Sequence, residues 1–306
     1  MSDFQLNILG CGSATPSPKR NPSSQVIDYR RRLMMIDCGE GAQATMRRMG
    51  LSFSRLTHIF ISHMHGDHCL GLPGLLSTLA LHGKEGSVTV VLPESGVRIM
   101  KEITDYFCRE PQLEIIFQPV SGEGGIVLEL PSLTVEAFPL YHRIESYGYL
   151  FREKPKQRHL KGDMVEFYNV PVAMRPLLKD GADFVTDDGR TIENRLLTRD
   201  PDPSRSYAYC SDTMFDERVA HAVSGVDLLY HEATYDKSLA AEARKRGHST
   251  ALEAGKIASL AKAGKLIIGH YSKRYNDIEP LVSEAASVFP NVIAASDGLK
   301  IDLDKL

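Results

Sequence analysis

The sequence predicts an α/β fold, and three observations predict it. Apolar runs of strand length alternate with runs of helix length, and glycine turns separate many of them. Metal-capable side chains stand just past the ends of several of those strands, at His63, His142, Asp212 and His270. A long polar segment, residues 152–204, interrupts the alternation between two of these residues.

The elements follow in order. Phe4 to Leu9 alternates as a strand and runs into the glycine-rich loop Gly10-Cys11-Gly12-Ser13. Leu33 to Asp37 is a second apolar strand. It is followed by Cys38-Gly39-Glu40-Gly41 and by a helix from Ala42 to Met49 that Gly50 closes. Leu56 to Ser62 has the β-branched and aromatic content of a buried strand, and Leu70 to Leu81 reads as a helix with Pro73 near its start, where proline is tolerated. Val88 to Leu92 is a strand, Gly96 to Phe107 a helix, and Glu114 to Pro119 and Ile126 to Leu130 are strands. After the insertion come strands at 207–210 and 226–230. A helix from Ser249 to Ala263 has hydroxyls at its head and Gly264 at its end.

Composition narrows the class. A chain of 306 residues with 42% apolar content buries a sizeable core. The candidate ligands run from position 63 to position 270, so one domain, 1–306, is expected, with 152–204 inserted in it. The net charge of −3 excludes a broadly basic nucleic-acid binder and leaves only local patches. The opening Met1 to Gly10 lacks a basic start and a long apolar core, which predicts no secretory signal, and no apolar run approaches membrane-spanning length. The five cysteines are odd in number, scattered and free of CxxC pairs, so they read as reduced residues of a cytoplasmic protein. Cys69 and Cys210 flank candidate ligands, but the histidines and aspartates already suffice.

The most informative stretch is His63-Met64-His65-Gly66-Asp67-His68. Three imidazoles and a carboxylate within six positions, emerging from a strand end, suit zinc, with manganese or iron as substitutes. Alternation puts His63 and His65 on one side of the chain. Gly66 then permits a turn that carries Asp67 and His68 to a second point, so one loop can serve two ions. An aspartate is the natural bridge because each oxygen can hold one ion, and Asp212 is the best candidate. His58 lies within a strand and reads as core. His82, His159 and His221 have no partner signal.

Three further features bear on the substrate. The segment Leu9 to Pro16, followed by Lys19 to Ser24, combines glycines, hydroxyls and cations that suit a phosphate contact or an ordinary capped loop. Arg244-Lys245-Arg246-Gly247-His248-Ser249-Thr250 is placed at a helix start, where an anion is favoured and His248 can give a proton to a leaving oxygen. The insertion is basic at its foot, with Arg152, Lys154, Lys156, Arg158 and Lys161 as candidate substrate-binding residues, and mixed further on. A segment of that length, partly structureless, is uncommon in a compact domain unless functional.

The His63–His68 motif closely resembles the HxHxDH hallmark of the metallo-β-lactamase superfamily. Other segments carry a resemblance to its ribonuclease Z branch. They are Leu9 to Ala14, Arg20 to Ser24, Ile36 to Gly41, Tyr141-His142-Arg143, Cys210 to Thr213, His231-Glu232-Ala233-Thr234 and His248-Ser249-Thr250. The resemblance implies two packed β-sheets sandwiched between outer helices (αββα) and two Zn2+ per chain, with Mn2+ or another divalent metal possible. It implies that His63, His65 and His142 hold one ion, that Asp67, His68 and His270 hold the other, and that Asp212 bridges them. It implies zinc-dependent cleavage of the 3′ trailer from precursor tRNA by an activated water, leaving a 3′-hydroxyl tRNA and a 5′-phosphate trailer. Asp67 would orient that water and His248 would protonate the leaving oxygen, with Glu232 orienting His248 or serving as a structural acceptor. The implied partners are precursor tRNA and a second copy of the chain, with no membrane, and the insertion corresponds to the family's tRNA-gripping flexible arm. A Gly-Pro element common in that arm is replaced here by Val170-Pro171-Val172-Ala173-Met174-Arg175-Pro176, which departs from the pattern at the arm's tip.

Overall fold

The computed structural model describes residues 3–109 and 112–306, so the opening Met1 and Ser2 lie outside the described residues. By its contacts the chain divides into two compact units. The larger comprises residues 1–129, 134–151 and 205–306, and the smaller comprises 130–133 with 152–204.

The larger unit is built on two seven-stranded sheets. The first runs, in spatial order, Lys300–Asp302, Phe4–Gly10, Ser24–Tyr29, Arg32–Cys38, Leu56–Phe60, Gly86–Pro93 and Leu113–Val120. Its first four strands pair antiparallel, and pairing from Arg32–Cys38 onward is parallel. The second runs Val292–Ala294, Lys265–Gly269, Leu228–Glu232, Ser206–Cys210, Ser146–Glu153, Leu133–Leu140 and Gly125–Glu129. Parallel strands with both faces covered need near-continuous apolar character, and Leu228–Glu232, Ser206–Cys210 and most of Arg32–Cys38 are buried along their lengths.

Side-chain alternation assigns the two faces of the first sheet. Leu33, Met35 and Ile59 pack on one face against the helices Ala42–Arg48 and Leu72–Leu81 through Met46, Leu75 and Leu79. Phe60 points the other way, its ring 5.2 Å from Tyr149 and 5.5 Å from Phe151 of the second sheet. The sheets are also tied by polar contacts. Tyr149 donates to the Ile61 carbonyl at 2.8 Å, and Tyr207 donates to Gln25. Beyond the second sheet lies the helix Ala251–Leu260. Its start is a reciprocal cap in which Thr250 Oγ1 accepts from the Glu253 amide at 3.2 Å and Glu253 accepts from the Thr250 amide at 2.8 Å.

The sequence reading differs from the structure in particular places. The strands Ser24–Tyr29 and Ser146–Glu153 were not anticipated. The first carries Gln25 and Asp28 in a short run. The second contains Gly148, where an added Cβ would fall 2.3 Å from the Phe138 ring. Polar and glycine residues hide a strand when the reason for them is a distant partner. Arg244 to Arg246 are not at a helix start: they close the helix Ala240–Arg246, and Gly247 ends it in a left-handed conformation (φ 77°). Cations there complement the carbonyl end of the helix rather than drawing an anion.

The smaller unit is more ordered than its composition suggests. It holds the helices Gly162–Phe167, Arg175–Lys179 and Asn194–Leu197, and two pairs of two-residue strands. Val165, Val170, Leu178, Phe184, Ile192 and Leu197 form an apolar cluster of its own. Asn194 ties the unit by donating to the carbonyls of Leu178 and Ala182 at 2.8 and 2.7 Å. At the atypical tip, Val172–Met174 is a 3-10 turn that leads into Arg175–Lys179, with Pro176 in the first helical turn.

Candidate metal centre

The donors come from strand ends of both sheets. His63 follows Leu56–Phe60, and Gly66–Cys69 forms a short helix that carries Asp67 and His68, with His65 just before it. His142 follows Leu133–Leu140, Asp212 follows Ser206–Cys210, and His270 follows Lys265–Gly269 in a left-handed conformation (φ 59°). A non-glycine residue held there is strained, and such strain persists where surrounding contacts over-determine it.

These side chains gather into two groups. His63, His65, His142 and Asp212 form one, and Asp67, His68 and His270 form the other. In the first, His65 Nδ1 is 3.0 Å from His63 Nε2 and 3.2 Å from His142 Nε2. In the second, His68 Nε2 and His270 Nε2 are 3.3 Å apart, and Asp67 Oδ2 lies 3.5 Å from each. Asp212 stands between the groups. Its Oδ2 is 3.5 Å from His63 Nε2 and 3.8 Å from His142 Nε2, while its Oδ1 is 3.5 Å from His68 Nε2 and 3.2 Å from His270 Nε2.

The opposite ring nitrogens show that this donor set fits cations. His142 Nδ1 is 2.6 Å from the Gly247 carbonyl and His68 Nδ1 is 2.7 Å from Asp37 Oδ2. Both partners accept, so both Nδ1 atoms carry the proton and each ring turns its Nε2 inward; burial opposes charge on His68, but Asp212, Asp37 and Asp67 outweigh it and raise its pKa, a pull toward positive charge at that Nε2. Several lone pairs and two carboxylates then face one another at 3.0–3.8 Å, an arrangement that bound cations stabilise. Gly247 is required beside His142, because a Cβ there would lie 2.7 Å from its Nδ1. Cys69 and Cys210 belong to neither group, and burial pushes the Cys69 thiol up to about 11.

His248 lies at the edge of the cluster, its Nδ1 2.9 Å from Glu232 Oε1 and 3.7 Å from Asp212 Oδ2. Burial disfavours its charge, but Glu232 and Asp212 outweigh burial and raise its pKa to about 9. Glu232 is fully buried and also accepts from the Thr213 amide and, through Oε2, from the Thr234 hydroxyl at 2.6 Å. Thr234 Oγ1 in turn lies 2.9 Å from His270 Nδ1. A cleft of about 480 Å3 opens over the cluster, lined by Asp67, Asp212, His248 and His270 and by Ser13 to Thr15 of the glycine-rich loop. From that loop the Ala14 amide donates to Asp67 Oδ2 at 2.6 Å.

Sequence reasoning missed Asp37 and Thr234 as supports of the site. The signal for Asp37 was faint, a carboxylate ending an apolar strand. The structure adds its left-handed backbone (φ 54°) and complete burial. The five cations placed at the foot of the insertion are outside this cleft, in the smaller unit. Lys156 pairs with Glu153 at 2.7 Å, Arg158 pairs with Asp200 at 2.7 Å, and Lys161 donates to the Arg195 carbonyl at 2.8 Å. Arg152 and Lys154 are also partnered. His58 stacks on Phe60 at 6.0 Å, and burial, aided by Arg32, lowers its pKa to about 4.

Comparison with known proteins places the chain. A ribonuclease Z from Parabacteroides distasonis is 48% identical over 304 residues, covering 99% of this chain and all of its own length. The chain belongs to the ribonuclease Z family. It also falls within the family model described as anti-Pycsar protein Apyc1, which matches residues 4–167 and so spans the donors from His63 to His142 but not Asp212, His248 or His270. Among solved structures, human tRNase Z, short form, superposes with a TM-score of 0.72 at 23% identity, covering 98% of this chain and 99% of that one. The metallo-β-lactamase fold protein YhfI from Bacillus subtilis superposes with a TM-score of 0.68 at 18% identity, covering 97% and 98%. The fold is therefore the metallo-β-lactamase fold, and membership in the ribonuclease Z family makes the chain a metal-dependent hydrolase. Among the described residues no helix is long and apolar enough to cross a membrane.

Proposed function

We propose that this member of the ribonuclease Z family is a zinc-dependent endoribonuclease that removes the 3′ trailer from precursor tRNA. The observation that carries the reading is Asp212, which turns one carboxylate oxygen toward each nitrogen group. His63, His65 and His142 would hold one ion, Asp67, His68 and His270 the other, and Asp212 both. Two Zn2+ suit imidazole and carboxylate donors, with Mn2+ as a substitute. Bound there, the ions supply an activated water and neutralise charge on the phosphoryl oxygens.

The remaining work falls to the chain's own side chains. Asp67, fixed by the Ala14 amide, orients the attacking water. His248, whose protonated form the Glu232 carboxylate favours at 2.9 Å, gives its proton to the departing 3′ oxygen. The products are a 3′-hydroxyl tRNA and a 5′-phosphate trailer. The smaller unit, 152–204, serves as the arm that holds the body of the tRNA, and the protein works as a cytoplasmic homodimer. A second reading, hydrolysis of small phosphodiesters, is favoured by one observation: all donors and His248 lie in the larger unit.

The test is cleavage of a precursor tRNA transcript and of bis(p-nitrophenyl) phosphate, each with and without chelator, with end-group analysis of the RNA products. Chelator-sensitive release of an intact trailer bearing a 5′-phosphate supports the RNA reading. Turnover of the chromogenic diester alone rejects it in favour of the second.

A further inference from the structure

Two cations of the cleft have no partner among the described residues, unlike the five at the foot of the smaller unit. Four basic side chains line the cleft: Arg143, Arg246, Lys273 and Arg274. Arg246 pairs with Glu242. The Arg274 guanidinium lies 5.0 Å from the centre of the Tyr235 ring, and its Nε donates to Ser272 at 3.2 Å. Arg143 and Lys273 are exposed and have no hydrogen bond, ion pair or ring contact among the described residues.

Their positions are informative. Arg143 directly follows His142, a donor of one group, and Lys273 comes three residues after His270, a donor of the other. The stem of Arg143 also packs beside the residue before His248, since a Cβ on Gly247 would lie 3.2 Å from Arg143 Cγ. An exposed cation without a protein partner gives up no ion pair when it meets a phosphate, and releases counterions from the nucleic acid as it does so. The segment 152–204 is balanced in charge. It contains ten Lys and Arg against ten Asp and Glu, a net charge of zero, and Lys156 and Arg158 are neutralised within it.

We infer that Arg143 and Lys273 grip the phosphates flanking the scissile phosphodiester of a single-stranded RNA segment, Arg143 on the side of the leaving group that His248 protonates. This rests on the RNA reading above. The cleft then supplies a salt-dependent part of binding next to the scissile bond. Such contacts position the backbone without reading its sequence.

The experiment is binding of a fluorescent octauridylate to the metal-loaded enzyme, followed by anisotropy from about 50 to 200 mM salt, where phosphate contacts reveal themselves. Arg143→Gln and Lys273→Gln should each reduce the slope of log affinity against log salt by ~0.7, and the double variant by about twice that. Arg143→Lys and Lys273→Arg should keep the slope of the unaltered protein, a rescue that a packing role would not give. Gln variants with the unaltered slope, or an unaltered protein that fails to bind the octamer, overturn the inference. Precursor tRNA cleavage by the unaltered protein is measured alongside. Octamer binding with the expected slopes but no such cleavage would reject the tRNA reading and leave the phosphate grip standing. Cleavage with unchanged slopes in the Gln variants would do the reverse.

Discussion

His68 Nδ1 lies 2.7 Å from Asp37 Oδ2, and that carboxylate also accepts from the Tyr209 hydroxyl at 2.7 Å and from the Ser62 amide and hydroxyl at 2.7 and 2.9 Å. Asp37 is thus a fully buried anchor joining both sheets to one ring of the metal centre. It keeps the His68 proton on Nδ1 and the lone pair of Nε2 pointed at His270 and Asp212. Asp37→Asn retains the shape and tolerates the left-handed backbone but removes the charge. Removing partners of this kind costs about 10–100-fold in metal affinity. Chelator competition on the purified variant should show a loss in that range with the far-ultraviolet circular dichroism intact; unchanged affinity would make Asp37 a structural residue only.

Asp212→Ala should cost the protein its metals and its activity together. Each oxygen of Asp212 faces a different nitrogen group, so its loss takes a donor from both. Elemental analysis after gel filtration checks this, and full metal content with a near-normal rate would sink the bridging role.

His248→Ala should slow the chemical step by roughly 10²–10⁴ while leaving metal content unchanged. Single-turnover cleavage read against metal content separates the two effects. A variant that loses its metals would show His248 to be a ligand instead.

Glu232→Gln should move the alkaline limb of the kcat profile to lower pH. Burial alone disfavours protonated His248, and the Glu232 carboxylate, ahead of Asp212, raises its pKa to about 9. A general acid works while protonated, so the rate falls as pH rises through that value. Removing the Glu232 charge lowers the pKa, and the fall comes earlier. A limb that stays in place would assign it to another group.

Replacing residues 155–200 by a short Gly/Ser linker should leave both metals bound, because every donor lies in the larger unit and the excised segment has its own apolar cluster. Affinity for precursor tRNA should fall. The remaining binding should keep a salt dependence, because Arg143 and Lys273 stay in the larger unit. A precursor tRNA KM equal to that of the intact protein would remove the arm from substrate binding.

Much of the site was legible in the sequence. His63, His65, Asp67 and His68 stand within six positions, so a strand end and one turn bring them close whatever the rest of the chain does. His142, Asp212 and His270 could be picked out because each is a metal-capable side chain just past an apolar run, and strand ends are where a sheet delivers side chains to one rim. The local signal misled at Arg244 to Arg246, where Gly247 closes one helix three residues before Thr250 opens the next, and charge alone does not tell the two helix ends apart. Other features had no local signal at all. The division of the Asp212 oxygens between two groups, the grip of Asp37 on His68 from 31 positions away, and the choice of Arg143 and Lys273 as the cleft cations left without partners among the described residues exist only once both sheets have packed. Spacing along the chain determines which residue types can meet near a strand end. Which atom of each faces its neighbour, and which charges find a counter-charge, depends on side chains that only folding brings within hydrogen-bonding range.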